Sequence, residues 1–323
     1  MRIRQARYVM GTIVEMTACA SSDDGAQLQS AIDLAFEEFA RLERLCNFFS
    51  PESELSRVNR EAFRSPVSIS AELFEILRQG VEYGRRSHDC FSIALAPLTE
   101  LWRRCGELGH PPTPDAWRRA CEASDWRLIR LDPERQSVRF LHAEAKLDLG
   151  GFVKGWAVDQ ARRVLQEHGV AAGFVNAGQS GLCGFGGSSK DDEGAGWAVG
   201  LRHPGDERCV SGAFILRARS AATSGVNERS FEIAGETFSH LIDPHSGRPT
   251  TKVASATVIC SSAAEAEVAA KMLFFLGCQE GVARCDENGW AIEGATLEGD
   301  GEDVRLTHTA DFPMVPNSQL TEQ

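Results

Sequence analysis

The chain has 323 residues, 42% hydrophobic and 25% charged, a balance that suits a globular protein with a sizeable core in one large or two ordinary domains. Its 46 acidic residues outnumber 34 lysines and arginines, for a formal net charge of −12, which argues against the broad basic surface that nucleic acid requires. A small anionic ligand stays open, because it needs only a local cation.

In chain order, the β-branched residues of 6–19 predict a first strand with a break or bulge at Met10-Gly11-Thr12. The spacing of Leu28, Ile32, Ala35, Phe39 and Leu42 predicts an amphipathic helix over 26–48, capped by Asp23, Asp24 or Gly25. A turn at 49–55 leads into a short helix ending near Asn59, and Ser70 caps a helix over 71–87. His88-Asp89-Cys90-Phe91-Ser92 and an apolar run to Leu98 follow, and 106–125, with three prolines and then a helical patch at Trp117–Cys121, reads as a surface excursion. Strands are expected at 127–131 and 137–141, then a helix over 155–168, and strands at 172–176, 197–202 and 213–218. The polar 187–195 reads as an exposed loop. A hairpin at 231–242, a strand at 254–260, a helix at 263–276 stopped by Gly277 and a late strand at 290–292 complete the series, with a loose tail over 314–323. The mixed order favours an α+β architecture over a doubly wound sheet, without an internal repeat or linker, so that 1–313 reads as a single domain.

The ten cysteines form neither a C-x-x-C pair nor a zinc-spaced cluster, and read as buried or incidental thiols in a reducing compartment. Arg2, Arg4 and Arg7 are not followed by a signal-like apolar run, and nowhere are there 18 uninterrupted apolar residues. The expectation is a cytoplasmic protein without a membrane segment.

The stretch Leu147–Asp159, LDLGGFVKGWAVD, runs from a short apolar strand through Gly150-Gly151 and Lys154-Gly155 into a helical pattern. Such glycines permit positive φ and close approach of a ligand to bare backbone, and Lys154 adds a point charge at a helix start. The stretch therefore reads either as an anion site or as an ordinary strand–turn–helix connection. His240 and Asp243, before a Pro/Gly loop, suit proton transfer or ligand holding, or else Asp243 simply caps the Asp-Pro turn. Thr223-Ser224-Gly225, with Glu228-Arg229 beyond, is a further ligand wall or a turn of common composition.

Taken in order, MGT at 10–12, FFSPESELSRVN at 48–59, LAPLTELW at 95–102, LDLGGFVKGWAVD at 147–159, VNAG at 175–178, ATSGVNER at 222–229, HLIDPHSGRP at 240–249 and SATVICSSAAEAEVAAKMLFFLG at 255–277 resemble the FAD:protein FMN transferases, the ApbE family. The resemblance covers nearly the whole chain. It implies an α+β, T-fold-related arrangement of mixed sheets with packed helices, and a magnesium-dependent transfer of FMN from FAD to a Thr or Ser hydroxyl of a client flavoprotein, with AMP leaving. By position it assigns Met10 and Phe49 to the walls of the flavin or adenine pocket, and Asp148, Gly150 and Lys154 to FAD contact. Cys90, Phe91, Ser92, Ser224 and Gly225 fall on cofactor-binding segments. The Gly151 carbonyl faces the metal, and His240 and Asp243 lie near the phosphates.

Where the resemblance carries an Asp and, four residues on, a Thr or Ser as magnesium ligands, this chain has Glu267 and Lys271. A lysine ammonium offers donors only and cannot ligate the ion. Two further carboxylates of the pattern are replaced, by Ser92 and by Gln179-Ser180. The departures leave two alternatives beside transfer: an FAD-holding sensor, carrier or assembly factor, and hydrolysis of FAD. They also raise Lys271 as a cation surrogate, the other reading being a solvated Glu267–Lys271 surface pair.

Overall fold

A computed structural model describes residues 1–20, 25–187, 196–226, 230–233, 235–250, 253–299 and 303–316. The polar loop expected over 187–195 lies, after its first residue, outside the described residues, as do Asp23, Asp24, Glu228, Arg229 and the tail from 317 on. The chain forms two compact units: Met1–Glu43, Lys154–Ser224 and Val253–Gln323 make unit 1, and Arg44–Val153 with Gly225–Lys252 make unit 2.

The chain opens with β1 (Arg2–Val9) and β2 (Thr12–Cys19), and continues through α1 (Gly25–Cys46), α2 (Glu54–Glu61), β3 (Val67–Ser68), α3 (Ala71–Arg86), α4 (Ala96–Leu108), α5 (Pro114–Ala123), β4 (Ile129–Asp132) and β5 (Ser137–Phe140). Next come α6 (Val153–Glu167), β6 (Ala172–Ala177), β7 (Gly181–Phe185), β8 (Trp197–His203), β9 (Asp206–Leu216), β10 (Arg219–Gly225), β11 (Ser230–Ile233), β12 (Glu236–Ser239), β13 (Ile242–Asp243) and β14 (Arg248–Pro249). Then follow β15 (Ser255–Cys260), α7 (Ala263–Leu276), α8 (Cys278–Glu287), β16 (Glu293–Glu298) and β17 (Arg305–His308).

Unit 1 is built on an eight-stranded sheet ordered β1-β2-β6-β7-β10-β15-β16-β17. The break at Met10-Gly11 is a tight hairpin turn rather than a bulge. Met10 and Gly11 take φ of 53° and 72°, the left-handed pair that a two-residue hairpin loop demands. Along β2, Val14, Met16 and Ala18 alternate into the core. Helix α7 packs on β15, β7 and β16 and against α8, and is buried almost all round. It is accordingly alanine-rich and apolar rather than amphipathic. Trp290 is fully buried ahead of β16, so the last expected strand begins three residues later, and α8 and β17 escape the sequence pattern. Met314 bridges to Phe214 on β9, and Val315 donates to the Ala213 carbonyl, which ties down the start of the expected loose tail.

Unit 2 holds the small sheets β3-β5-β4, β11-β12 and β13-β14. The proline-rich 106–125 contains helix α5, capped by Thr113 and started by Pro114. Its Ala120 joins Leu98, Trp102, Cys105, Ile233 and Ile242 in one buried cluster, so this stretch is part of a core and not a bare excursion. A second centre is the edge-to-face trio Tyr83, Phe91 and Phe152.

Candidate functional site

In unit 2 the stretch Leu147–Gly151 is fixed from several sides. Leu147 and Asn59 exchange hydrogen bonds, the Asn59 amide donating to the Leu147 carbonyl at 2.9 Å and the Leu147 N–H returning one at 2.8 Å. Asp148 N–H donates to the Ile93 carbonyl, and its carboxylate accepts from Gly150 N–H at 2.8 Å. Phe152, fully buried against Phe91 and Tyr83, anchors the turn into α6. Gly150, Gly151 and Gly155 are absent from the residues with positive φ, which corrects the expectation that these glycines serve a left-handed turn.

Phe49 stands 76% exposed beside Phe48, on a loop held by the Asn47 side chain, which accepts from Phe49 N–H and Ser50 N–H. Ser53 caps α2 and also donates to the Asn47 carbonyl. Phe48, Phe49, Asn59, Arg60, Glu100 and Lys146 line an open cavity of about 310 Å³, with Lys146 paired to Glu100 at 2.7 Å. Sequence reasoning passed over Lys146, although it directly precedes Leu147.

Cys90, Phe91 and Ser92 are buried. Ser92 Oγ donates to the Ser124 carbonyl and accepts from Ala94 N–H, so its hydroxyl braces the interior. His88 and Asp89 both take positive φ just before them. Burial pushes the Asp89 carboxyl up, but hydrogen bonds from Arg127 and Trp126, with the Arg127 charge, outweigh it and hold the group below the usual carboxylate range.

Also in unit 2, Asp243 organises its turn: its carboxylate accepts from the N–H groups of His245 at 3.0 Å and Ser246 at 3.3 Å, and its carbonyl accepts from Gly247 N–H. The Gly247 carbonyl takes the indole N–H of Trp102 at 2.8 Å and of Trp117 at 3.2 Å. A Cβ on Gly247, whose φ is +62°, would stand 2.4 Å from Cys121 Sγ. His240 is half-buried just before this turn, and Gly225 is buried at the end of β10.

In unit 1, Met10 N–H donates to Glu43 Oε1 at 3.0 Å, which fixes the hairpin turn to α1. Ser224 is buried near the end of β10, where the preceding Thr223 hydroxyl meets that of Thr257 at 2.9 Å. Gln179, at φ 64°, occupies the β6–β7 turn with its N–H on Asn176 Oδ1. Lys154, half-buried, lies on the first turn of α6. Its neighbour Gly155 serves helix packing: a Cβ there would stand 2.5 Å from the Ala263 backbone, so only glycine lets α6 approach α7 this closely.

One turn on, the Asp159 carboxylate accepts from Ser262 Oγ at 2.7 Å, Ala263 N–H at 2.8 Å and Ala264 N–H at 3.1 Å, which satisfies the start of α7. Burial pushes the Asp159 carboxyl up, against the pull of those hydrogen bonds. Glu267 is buried farther along α7: a Cβ on Gly181 would be 3.1 Å from Glu267 Oε1 and 3.9 Å from the Gly155 Cα. Lys271 Nζ donates to the Glu267 backbone carbonyl at 3.0 Å. Glu267 thus lies near the α6–α7 contact that Gly155 makes, with Lys154 next to Gly155 in the chain and Lys271 one turn beyond Glu267.

Comparison with known proteins bears on the fold and the family. The ApbE family model matches residues 10–293. An FAD:protein FMN transferase of Klebsiella pneumoniae is 30% identical over 252 residues, spanning 77% of this chain and 76% of that one, and its Treponema pallidum counterpart is 27% identical over 297 residues, spanning 87% and 82%. The solved ApbE protein of Thermotoga maritima shares the fold, with a TM-score of 0.82 at 21% identity and 96% and 97% of the two chains covered. The α+β architecture is thus that of the solved ApbE structures, and the chain belongs to the ApbE family.

Proposed function

We propose that this protein is an FAD:protein FMN transferase that binds FAD and moves its FMN half to a Thr or Ser hydroxyl of a client flavoprotein. The observation that carries this reading is the family match across residues 10–293, which takes in both Leu147–Asp159 and the turn from Asp243 to Pro249. In the transfer, the client oxygen forms a bond to the FMN phosphorus and the bridging P–O bond breaks. AMP leaves with the bridging oxygen, and the hydroxyl proton passes to a base.

Several groups are suited to that chemistry. Lys154 offers its ammonium to a phosphate, and Ser224 a hydroxyl that can donate or accept. The exposed ring of Phe49 is a stacking platform for a flavin or adenine, and Met10 adds a polarisable apolar contact. Asp148 accepts hydrogen bonds from FAD hydroxyls beside the bare backbone of Gly150 and Gly151. Cys90, Phe91 and Ser92 lie just before Ile93, whose carbonyl holds Asp148 N–H, Phe91 packs on Phe152, and Gly225 follows Ser224 at the end of β10. His240 is the residue best suited to take the client proton, since a neutral imidazole offers a ring-nitrogen lone pair. Asp243, whose carboxylate holds main-chain N–H groups, positions the turn that follows His240.

Magnesium does not fit the α7 pair: the position one turn beyond Glu267 bears an ammonium that donates back to the Glu267 carbonyl. All ten cysteines are free thiols, which supports placing the protein and its client in the reducing cytoplasm. Among the described residues no helix is long and apolar enough to cross a membrane. The test is incubation with FAD and a flavoprotein domain bearing an acceptor threonine, followed by denaturing electrophoresis. A fluorescent acceptor band supports transfer, and a dark band with intact FAD opposes it.

A further inference from the structure

A divalent ion held by α7 needs oxygen ligands one turn apart on one helix face. The first position carries a carboxylate, Glu267, 4% exposed and set where the start of α6 meets the β6–β7 hairpin. The second carries Lys271, whose Nζ folds back along α7 to within 3.0 Å of the Glu267 carbonyl. Its ammonium thus sits over the turn that presents Glu267 instead of extending away from it. An ammonium has three donors, no lone pair and the same sign of charge as a metal ion, so it excludes the ion from the place it takes. A buried carboxylate on the same face also costs less with a fixed cation one turn away than alone.

We infer that Lys271 replaces the divalent ion: with Lys154 on the first turn of α6, it supplies the positive charge that neutralises the FAD pyrophosphate, and the protein holds FAD without any metal. The identity of the ligand rests on the transferase reading above. The α6–α7 contact makes the arrangement specific. Gly155 admits α7 at backbone distance and Asp159 fixes its first turn, so the helix start that bears Lys154 and the helix that bears Glu267 and Lys271 are held together. An ammonium carries half the charge of a divalent ion, but it is present at every metal concentration. FAD binding should therefore be indifferent to chelation.

The experiment is titration of the purified full-length protein with FAD, read by quenching of flavin fluorescence, in EDTA and in magnesium chloride. The inference predicts equal affinity in both for the native protein. Lys271→Met should weaken FAD binding in EDTA by about tenfold or more, while Lys271→Arg retains most of it. Glu267→Asp combined with Lys271→Thr should weaken binding in EDTA and recover it with magnesium. Loss of native affinity on chelation overturns the inference, as does a Lys271→Met protein that binds FAD in EDTA as tightly as the native one. If Lys271→Met fails to fold, the native comparison and Lys271→Arg still decide. Transfer to an acceptor domain separates the two readings. Transfer that requires magnesium sinks the Lys271 inference and keeps the transferase; metal-indifferent binding without transfer does the reverse.

Discussion

Two places in the molecule use an aspartate and a glycine to fix a segment that bears site residues, and they do it by different physics. At the α6–α7 junction of unit 1, Gly155 lets two backbones touch and Asp159 satisfies the first N–H groups of α7 from a buried position. At the Asp243–Pro249 turn of unit 2, Asp243 caps the turn, and two indoles reach the Gly247 carbonyl from α4 and α5. The first device is a steric fit between main chains and fails all at once. The second is a set of separate side-chain hydrogen bonds and weakens in steps.

The largest effect should come from Gly155→Ala, which sets a methyl group 2.5 Å from backbone that cannot rotate away. We expect a loss of about 3 kcal/mol or more, read as a lowered midpoint in urea unfolding. An unchanged midpoint would show that the helices separate at little cost. Next is Asp159→Ala, which removes the acceptor of three hydrogen bonds and should cost about 2 kcal/mol.

Asp159 of unit 1 and Asp89 of unit 2 predict opposite acid behaviour. The Asp159 carboxyl is raised in the folded state, so protonation favours the folded form, and its contribution to stability declines as pH rises from the unfolded value near 3.8 through the raised one. The Asp89 carboxyl is lowered, so its stabilisation is present above 3.8 and is lost as pH falls through the folded value. Asp89→Asn should therefore destabilise at neutral pH and not below the lowered value, whereas Asp159→Asn should remove a decline with rising pH. Urea midpoints measured from pH 2.5 to pH 7 check both, and parallel profiles for the two variants would contradict the assignment.

The smallest effects belong to the indole clamp. Trp102→Phe and Trp117→Phe each delete one hydrogen bond to Gly247 while keeping most of the packing, and should cost about 1 kcal/mol apiece. If the clamp positions the turn after His240, each should also lower flavin transfer more than it lowers FAD binding. Equal losses in both would confine the tryptophans to stability.

Much of this was legible in the chain because local rules and the fold agree. Ser70 marks a helix start, Gly277 marks a stop, and the β-branched residues of 6–19 mark the first strands. What escaped depended on tertiary contacts. Helix α8 follows directly on Gly277, the expected stop, without a side-chain cap, and the helical patch at 117–121 hides its start among prolines that open a helix as readily as they break one. The role of Gly155 could not be read from its place in a glycine-rich stretch, because the backbone it admits lies more than a hundred residues away. The same holds for Asp159, which sits in the quoted motif yet acts on Ser262, Ala263 and Ala264. Lys271, by contrast, was readable at once, since a lysine where an oxygen ligand is expected is a chemical contradiction at any geometry.

The central claim is transfer of FMN to a protein hydroxyl, and intact-mass analysis of an acceptor flavoprotein domain after incubation with FAD and this protein tests it most directly. The account predicts an acceptor heavier by one covalent FMN, with one AMP released for each flavin attached. AMP released with FMN free in solution and the acceptor mass unchanged would contradict it.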